Sequence, residues 1–203
     1  MAIKKKKFFE VKIPIMHSSL ELLAYAIEDL NNKTIKLDLT RQLRGKSIEV
    51  IFKIKVENNT ATATPTKLTL LPFFIRRMFR KNISYVEDSF SIECQDAQIR
   101  VKPFLITRKK VSRVVRKALR NATKEWLQDN LKDKSYENVF SEVITNGLQK
   151  PLSLYLKKIY PLALCEIRVL NTEKLREQEK LKVEIEKIKK PEEIIKNQEK
   201  EED

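Results

Sequence analysis

Residues 97–126 read AQIRVKPFLITRKKVSRVVRKALRNATKEW, and the period of the apolar positions changes inside this stretch. From Ala97 to Ile106, Ile99 and Val101 alternate with Arg100 and Lys102, the two-residue repeat of a strand with one covered face. From Thr107 to Trp126, Val111, Val114, Val115, Ala118, Leu119, Ala122 and Trp126 fall at the spacing of one apolar helix stripe. A strand runs straight into an amphipathic helix here, and the order along the whole chain (strands, helix, strands, helices, strand) is not a regular βαβ alternation, which predicts an α+β fold. The other helix face carries Arg113, Arg116, Lys117, Arg120 and Lys124, with no acid before Glu125. Like charges one turn apart repel by a few tenths of a kcal/mol. A face of one sign is therefore explained by an anion outside the chain, and a polyphosphate backbone is the first candidate.

Upstream, Ile83–Cys94 reads as the partner strand of Ala97–Ile106, joined through Gln95-Asp96. Phe9, Val11, Ile13 and Ile15 alternate over a first strand, Phe8–Ile15. Leu22–Ile27 fits strand or helix. Ile35–Leu39 alternates, Gly45 breaks the chain, and Ile48–Val56 alternates again before an Asn58-Asn59 turn and a short return strand, Thr60–Thr64. Thr69 is placed to cap a helix from Leu70, with Leu71, Phe74, Ile75, Met78 and Phe79 inward. Downstream come helices over Tyr136–Asn146 and Leu148–Ile159, a stop at Pro161, and a last strand, Leu164–Leu170. The expected architecture is a curved or barrel-like, mainly antiparallel sheet flanked by helices. Two glycines in 203 residues argue against full barrel closure. The expected organisation is a basic arm (1–7), one domain (8–170) and a charged helical or extended tail (171–203).

The net charge is +14, unevenly spread. Residues 171–203 hold 9 basic and 11 acidic side chains, leaving 33 basic and 17 acidic in the first 170 residues. A body this basic binds anions without needing sequence specificity, nucleic acid ahead of an anionic membrane surface. No run approaches the ~18 apolar residues of a membrane span, and the start MAIKKKKFFEVKIPIM lacks the apolar stretch of a signal peptide. Cys94 and Cys165 lack CxxC spacing and read as two thiols in a reducing compartment, so a cytoplasmic location is expected.

Catalytic groups are scarce. His17 is the single histidine, and with Gly45 and Gly147 alone no phosphate-cradling glycine loop exists. No metal, cofactor or small-molecule substrate is expected. Three basic clusters stand out instead. Lys4, Lys5, Lys6 and Lys7 precede Phe8-Phe9. Arg76, Arg77, Arg80 and Lys81 end the first helix. Arg100, Lys102, Arg108, Lys109 and Lys110 lead into the helix with Arg113, Arg116, Lys117 and Arg120. Such residues hold phosphates and position a protein on nucleic acid, and carry little sequence information. Phe8 and Phe9 have the chemistry to stack on unpaired bases, although aromatics there more often fill a hairpin core.

IRVKPFLITRKK (99–110), the basic helix after it, and KKIYPLALCEIRVL (157–170) resemble the archaeal and eukaryotic small-ribosomal-subunit protein family called S-one-e, or S-three-a. KKKKFFEVKIPIM (4–16) and LPFFIRRMFRKNIS (71–84) are similar to that family's basic, aromatic opening and its helix leading into an Arg-Arg stretch. This chain has Ala97 where the family has a glycine in the hairpin turn. The resemblance implies a non-catalytic structural constituent of the small subunit that binds rRNA on the platform, beside neighbouring ribosomal proteins and near mRNA at its exit. The competing readings are a free RNA-binding module or chaperone acting off the ribosome, and a nucleic-acid enzyme with scattered carboxylates.

Overall fold

A computed structural model describes residues 5–43, 45–58 and 60–175. Nine strands and four helices follow one another as β1 (Lys7–Ile13), β2 (Ser18–Ala24), β3 (Thr34–Asp38), β4 (Ile48–Glu57), β5 (Thr60–Leu70), α1 (Pro72–Met78), β6 (Tyr85–Glu87), β7 (Phe90–Glu93), β8 (Ala97–Thr107), α2 (Arg113–Leu131), α3 (Tyr136–Thr145), α4 (Gln149–Leu156) and β9 (Leu162–Leu175). The fold is α+β, as the irregular order of strands and helices along the sequence predicts.

The strands form one open, branched sheet. β3, β4 and β5 pair antiparallel in order. The far edge of β5 is shared: its start pairs with β1 in parallel, and β2 closes that branch. Residues Lys67–Thr69 of β5 pair with β9, which pairs along β8. The other edge of β8 is divided between β6 and β7. Register shifts interrupt the β4–β5 and β8–β9 ladders, and the sheet does not close into a barrel.

The alternating segments bury the side chains their pattern selects. Val50, Phe52 and Ile54 of β4, Val11 and Ile13 of β1, and Ile99 and Val101 of β8 are all buried. Fully burying each such side chain stabilises the fold by about 1.5–3 kcal/mol. The Gln95-Asp96 turn needs no glycine, because residues 95–97 keep negative φ angles and the Cys94 N–H reaches the Ala97 carbonyl at 2.8 Å.

Several elements differ from the sequence reading. Of the ambiguous Leu22–Ile27 segment, Leu22–Ala24 forms the end of strand β2 and residues 25–27 bend away from it. β5 runs to Leu70 rather than stopping at Thr64. Its register slips where Ile51 faces Lys67 but Phe52 faces Pro65, leaving Thr66 as an extra residue. The bulge accommodates a proline, which has no N–H for the ladder, and re-phases the buried positions from Ala61 and Ala63 to Leu68 and Leu70. Thr69 is therefore a strand residue, and α1 starts at Pro72 with Leu71 as its cap and no side-chain cap bond. The Ile83–Cys94 strand is two strands broken at Asp88-Ser89, where the Ser89 N–H turns back to Asp88 Oδ1 at 2.9 Å. β9 continues past residue 170 to Leu175, so the first part of the expected tail is sheet. Residues 176–203 lie outside the described residues.

The largest revision concerns α2. Thr107 ends β8, and the helix begins after Ser112, whose Oγ accepts the Val115 N–H. Its inward line is Leu119, Thr123, Leu127 and Leu131, with Val115, Ala122 and Trp126 beside it. Val114 is 78% exposed and Ala118 is exposed too. Both satisfy the helical spacing, but the helix rests on β6, β7 and α4 through the adjacent face.

Candidate nucleic-acid interface

The edge strand β6 organises the site. Ser84, just before it, and Thr107, at the end of β8, are both buried. The Ser84 N–H donates to Thr107 Oγ1 at 3.1 Å. The Thr107 hydroxyl has two carbonyls in reach, Ser84 at 2.9 Å and Lys109 at 2.7 Å. The Val111 N–H donates to Ser84 Oγ at 3.2 Å. Breaking such buried bonds costs about 1–3 kcal/mol each when a partner is left unsatisfied. The clasp fixes the exposed loop Arg108–Lys110 beside the segment that carries Arg80 and Lys81. Two basic clusters separate in sequence thereby become neighbours at one sheet edge. Ser84 and Thr107 carry no charge, which is why charge-based reading of the sequence passes over them.

α2 extends this surface. Arg113, Lys117, Arg120 and Lys124 are exposed. The Arg120 Nε donates to the Glu87 carbonyl at 3.3 Å, tying the helix to β6. Arg116 is only half-exposed, and its Nε is buried without a partner, so it belongs to the packed flank of the basic face. The charged ends of Arg113, Lys117 and Lys124 meet no carboxylate among the described residues.

The β8 cations are more engaged than the sequence suggests. Arg100 Nε lies 2.6 Å from Glu173 Oε1 on β9, and Ser91 Oγ donates to the same carboxylate at 2.8 Å. Arg168 NH1 lies 3.0 Å from Glu87 Oε2. Lys102 lines a cleft of about 400 Å³ with Glu87, Ser89, Pro103 and Arg168, where β6 and β7 break apart. Exposed ion pairs of this kind are worth about 0–1 kcal/mol, so Arg100 is available to exchange Glu173 for a phosphate at little cost. On α1, Arg77 lies over the Phe73 and Phe74 rings at 5.9 and 5.6 Å, and Arg76, Arg80 and Lys81 project into solvent.

The N-terminal cluster is not part of this surface. Lys5 to Lys7 are exposed at the start of β1, on the branch that β5, β9 and β8 separate from β6. Lys6 Nζ sits 5.3 Å from the Tyr25 ring. Phe8 is 70% exposed and faces Leu23 across the β1–β2 ladder, while Phe9 is partly buried against the core. Lys4 lies outside the described residues.

One charged cluster serves the interior. Lys46 and Glu166 are nearly buried and pair at 2.6 Å. Lys46 Nζ also donates to Asn146 Oδ1 at the end of α3, and Gln149 Nε2 donates to the Val143 carbonyl at 2.8 Å. Burial pushes the Glu166 carboxyl above its ordinary value despite the opposing pull of Lys46. Burial, then the neighbouring Glu166 carboxylate, pushes the Cys165 thiol up to about 12. No disulfide joins Cys94 and Cys165. Among the described residues no three His, Cys, Asp or Glu side chains converge as a metal site, and no helix is long and apolar enough to cross a membrane.

The basic edge sits in a chain whose residues 2–176 match the model of the Ribosomal S3Ae family. The chain belongs to the ribosomal S3Ae family. Its relatives include the small ribosomal subunit protein eS1 of Nanoarchaeum equitans (strain Kin4-M), 29% identical over 173 residues covering 81% of this chain and 87% of that protein. The eS1 protein of Halorubrum lacusprofundi is 28% identical over 178 residues, 84% of this chain and 83% of the relative. That of Methanothermobacter thermautotrophicus is 22% identical over 173 residues, 81% and 88%. The matched span of this S3Ae-family chain contains both halves of the Ser84–Thr107 clasp and the whole of α2.

Proposed function

We propose that this chain is a structural constituent of the small ribosomal subunit that binds rRNA through the surface built around β6. Arg76, Arg77, Arg80 and Lys81 from α1 and its exit, Arg108, Lys109 and Lys110 from the clasped loop, and Arg113, Lys117, Arg120 and Lys124 from α2 form its main part. Arg116, Lys102 and Arg100 flank it. Lys5, Lys6 and Lys7 form a second, separate contact on the β1–β2 branch, and Lys4 precedes them in the sequence. The observation that carries this reading is the Ser84–Thr107 clasp, which gathers cations from three elements at one edge. A fixed array of this kind suits the phosphate backbone of a folded RNA, whose deep, narrow major groove side chains do not read.

Membership of the S3Ae family and the naming of its relatives support the ribosome as the setting. The resemblance supports the finer placement: the platform, near mRNA at its exit, beside neighbouring small-subunit proteins and without catalysis; the cysteine usage and the composition of the sequence support the cytoplasm and a role without cofactor or membrane contact. Sucrose-gradient fractionation of a lysate tests the reading. The protein is expected in the small-subunit fractions after a moderate salt wash. Recovery in the soluble top fractions would instead indicate an RNA-binding module acting off the ribosome.

A further inference from the structure

Tyr85 and Glu87 of β6 pair with Ile106 and Phe104 of β8. Residues facing each other across a ladder share a side of the sheet, so Tyr85 and Phe104 lie on one side and buried Val86 on the other. Phe104 is completely buried, and Phe79 meets it edge-on, with ring centroids 5.9 Å apart. Tyr85 in turn meets Phe79 edge-on at 5.3 Å and 85°. Yet Phe79 remains 44% and Tyr85 54% exposed. Two aromatic rings anchored on the core and left half in water form a rigid platform with an unused π-surface.

Its surroundings select the occupant. Arg76, Arg77, Arg80 and Lys81 lie in the same segment, and the clasp holds Arg108–Lys110 beside it. The acid on the same strand, Glu87, is engaged by Arg168. A ring surface bordered by cations of one sign fits a nucleobase joined to phosphate, because every base offers a π-face and its backbone supplies the charge. We infer that Tyr85, seated on Phe79, stacks an unpaired base of an RNA strand whose phosphates lie along Arg76–Lys81 and Arg108–Lys110. The inference rests on the RNA-binding reading above and adds a division of labour: single strand at the β6 edge, helical backbone along α2.

The test uses the full chain and two probes, a single-stranded RNA oligonucleotide of about a dozen residues and an RNA duplex of equal length, read by fluorescence anisotropy. Tyr85→Ala weakens single-strand binding roughly 5- to 100-fold, the scale of one lost base stack. The dependence on salt and the affinity for duplex stay as in the wild type. Tyr85→Phe restores single-strand binding to within about 3-fold. Ultraviolet cross-linking of the wild type, which needs no variant, places the single strand on the peptide that holds Phe79 and Tyr85. Unchanged single-strand binding by Tyr85→Ala, as a protein-docking surface would give, overturns the inference. So does equal loss of both probes, or a cross-link found only elsewhere. Failure of the wild type to bind either probe overturns the RNA-binding reading itself.

Discussion

The triple change Arg113→Gln, Lys117→Gln and Lys124→Gln removes three cations whose charged ends meet no carboxylate among the described residues, and leaves Arg116, whose Nε is buried, and Arg120, which is tied to the Glu87 carbonyl. Each phosphate contact contributes about 0.7–0.9 to the slope of log K against log salt concentration. Three lost contacts lower that slope by roughly 2–3. Between 50 and 200 mM salt, about 20- to 40-fold of the wild-type affinity loss therefore disappears in the variant. At 100 mM salt the variant binds about 100- to 500-fold more weakly. Exposed positions of this kind change stability by about 0.5 kcal/mol or less, so the melting temperature stays within a few degrees. The assay is a salt titration of affinity for a fragment of small-subunit rRNA, with thermal melts in parallel. An unchanged slope refutes phosphate contact along α2, and a collapsed fold refutes the placement of these side chains in solvent.

Three further outcomes follow from the same geometry. Leu119→Lys unfolds the domain by burying an unpaired charge, whereas Val114→Lys is tolerated despite its equal place in the apolar spacing; circular dichroism melts separate the two, and equal damage contradicts the rotated helix face. Thr107→Val leaves the buried Ser84 N–H without its acceptor and costs about 1–3 kcal/mol in urea titration, with weaker RNA binding as the Arg108–Lys110 loop loosens; full retention of both contradicts the clasp. Because the folded state raises the Glu166 pKa, it holds that proton more tightly than the unfolded state. The Glu166 contribution to stability is therefore complete below its ordinary value of 4.5 and declines as pH rises through the elevated one. The stability difference between the wild type and Glu166→Gln, followed by urea titration from pH 4 upward, shrinks with pH; growth with pH contradicts the direction of the shift.

The alternating runs made the sheet legible, because a period of two with one buried face leaves little freedom in Ile48–Val56 or Ala97–Ile106. Two events escaped the pattern. Pro65 interrupts β5, and only the bulge at Thr66 lets the strand carry on with its apolar positions shifted by one. The rotation of α2 escaped too, since Val114, Ala118 and Leu119 satisfy the same spacing and only the position of β6, β7 and α4 selects among them. The basic residues were visible as three runs, but their grouping was not. It depends on uncharged Ser84 and Thr107, and on a sheet order that sends Lys5–Lys7 to the opposite branch. The buried Lys46–Glu166 pair stands 120 residues apart in sequence and has no local signature.

Lysine footprinting inside the assembled particle tests the central claim most directly. Small subunits carrying the protein are acetylated briefly, before and after ribonuclease digestion, and modified positions are read by mass spectrometry. Lys81, Lys109, Lys110 and Lys117 are expected to be protected in the intact particle and to react once the RNA is removed, while exposed Lys33, before β3, reacts in both. Equal reactivity of Lys109, Lys110 and Lys117 with and without RNA would contradict an rRNA interface at the β6 edge.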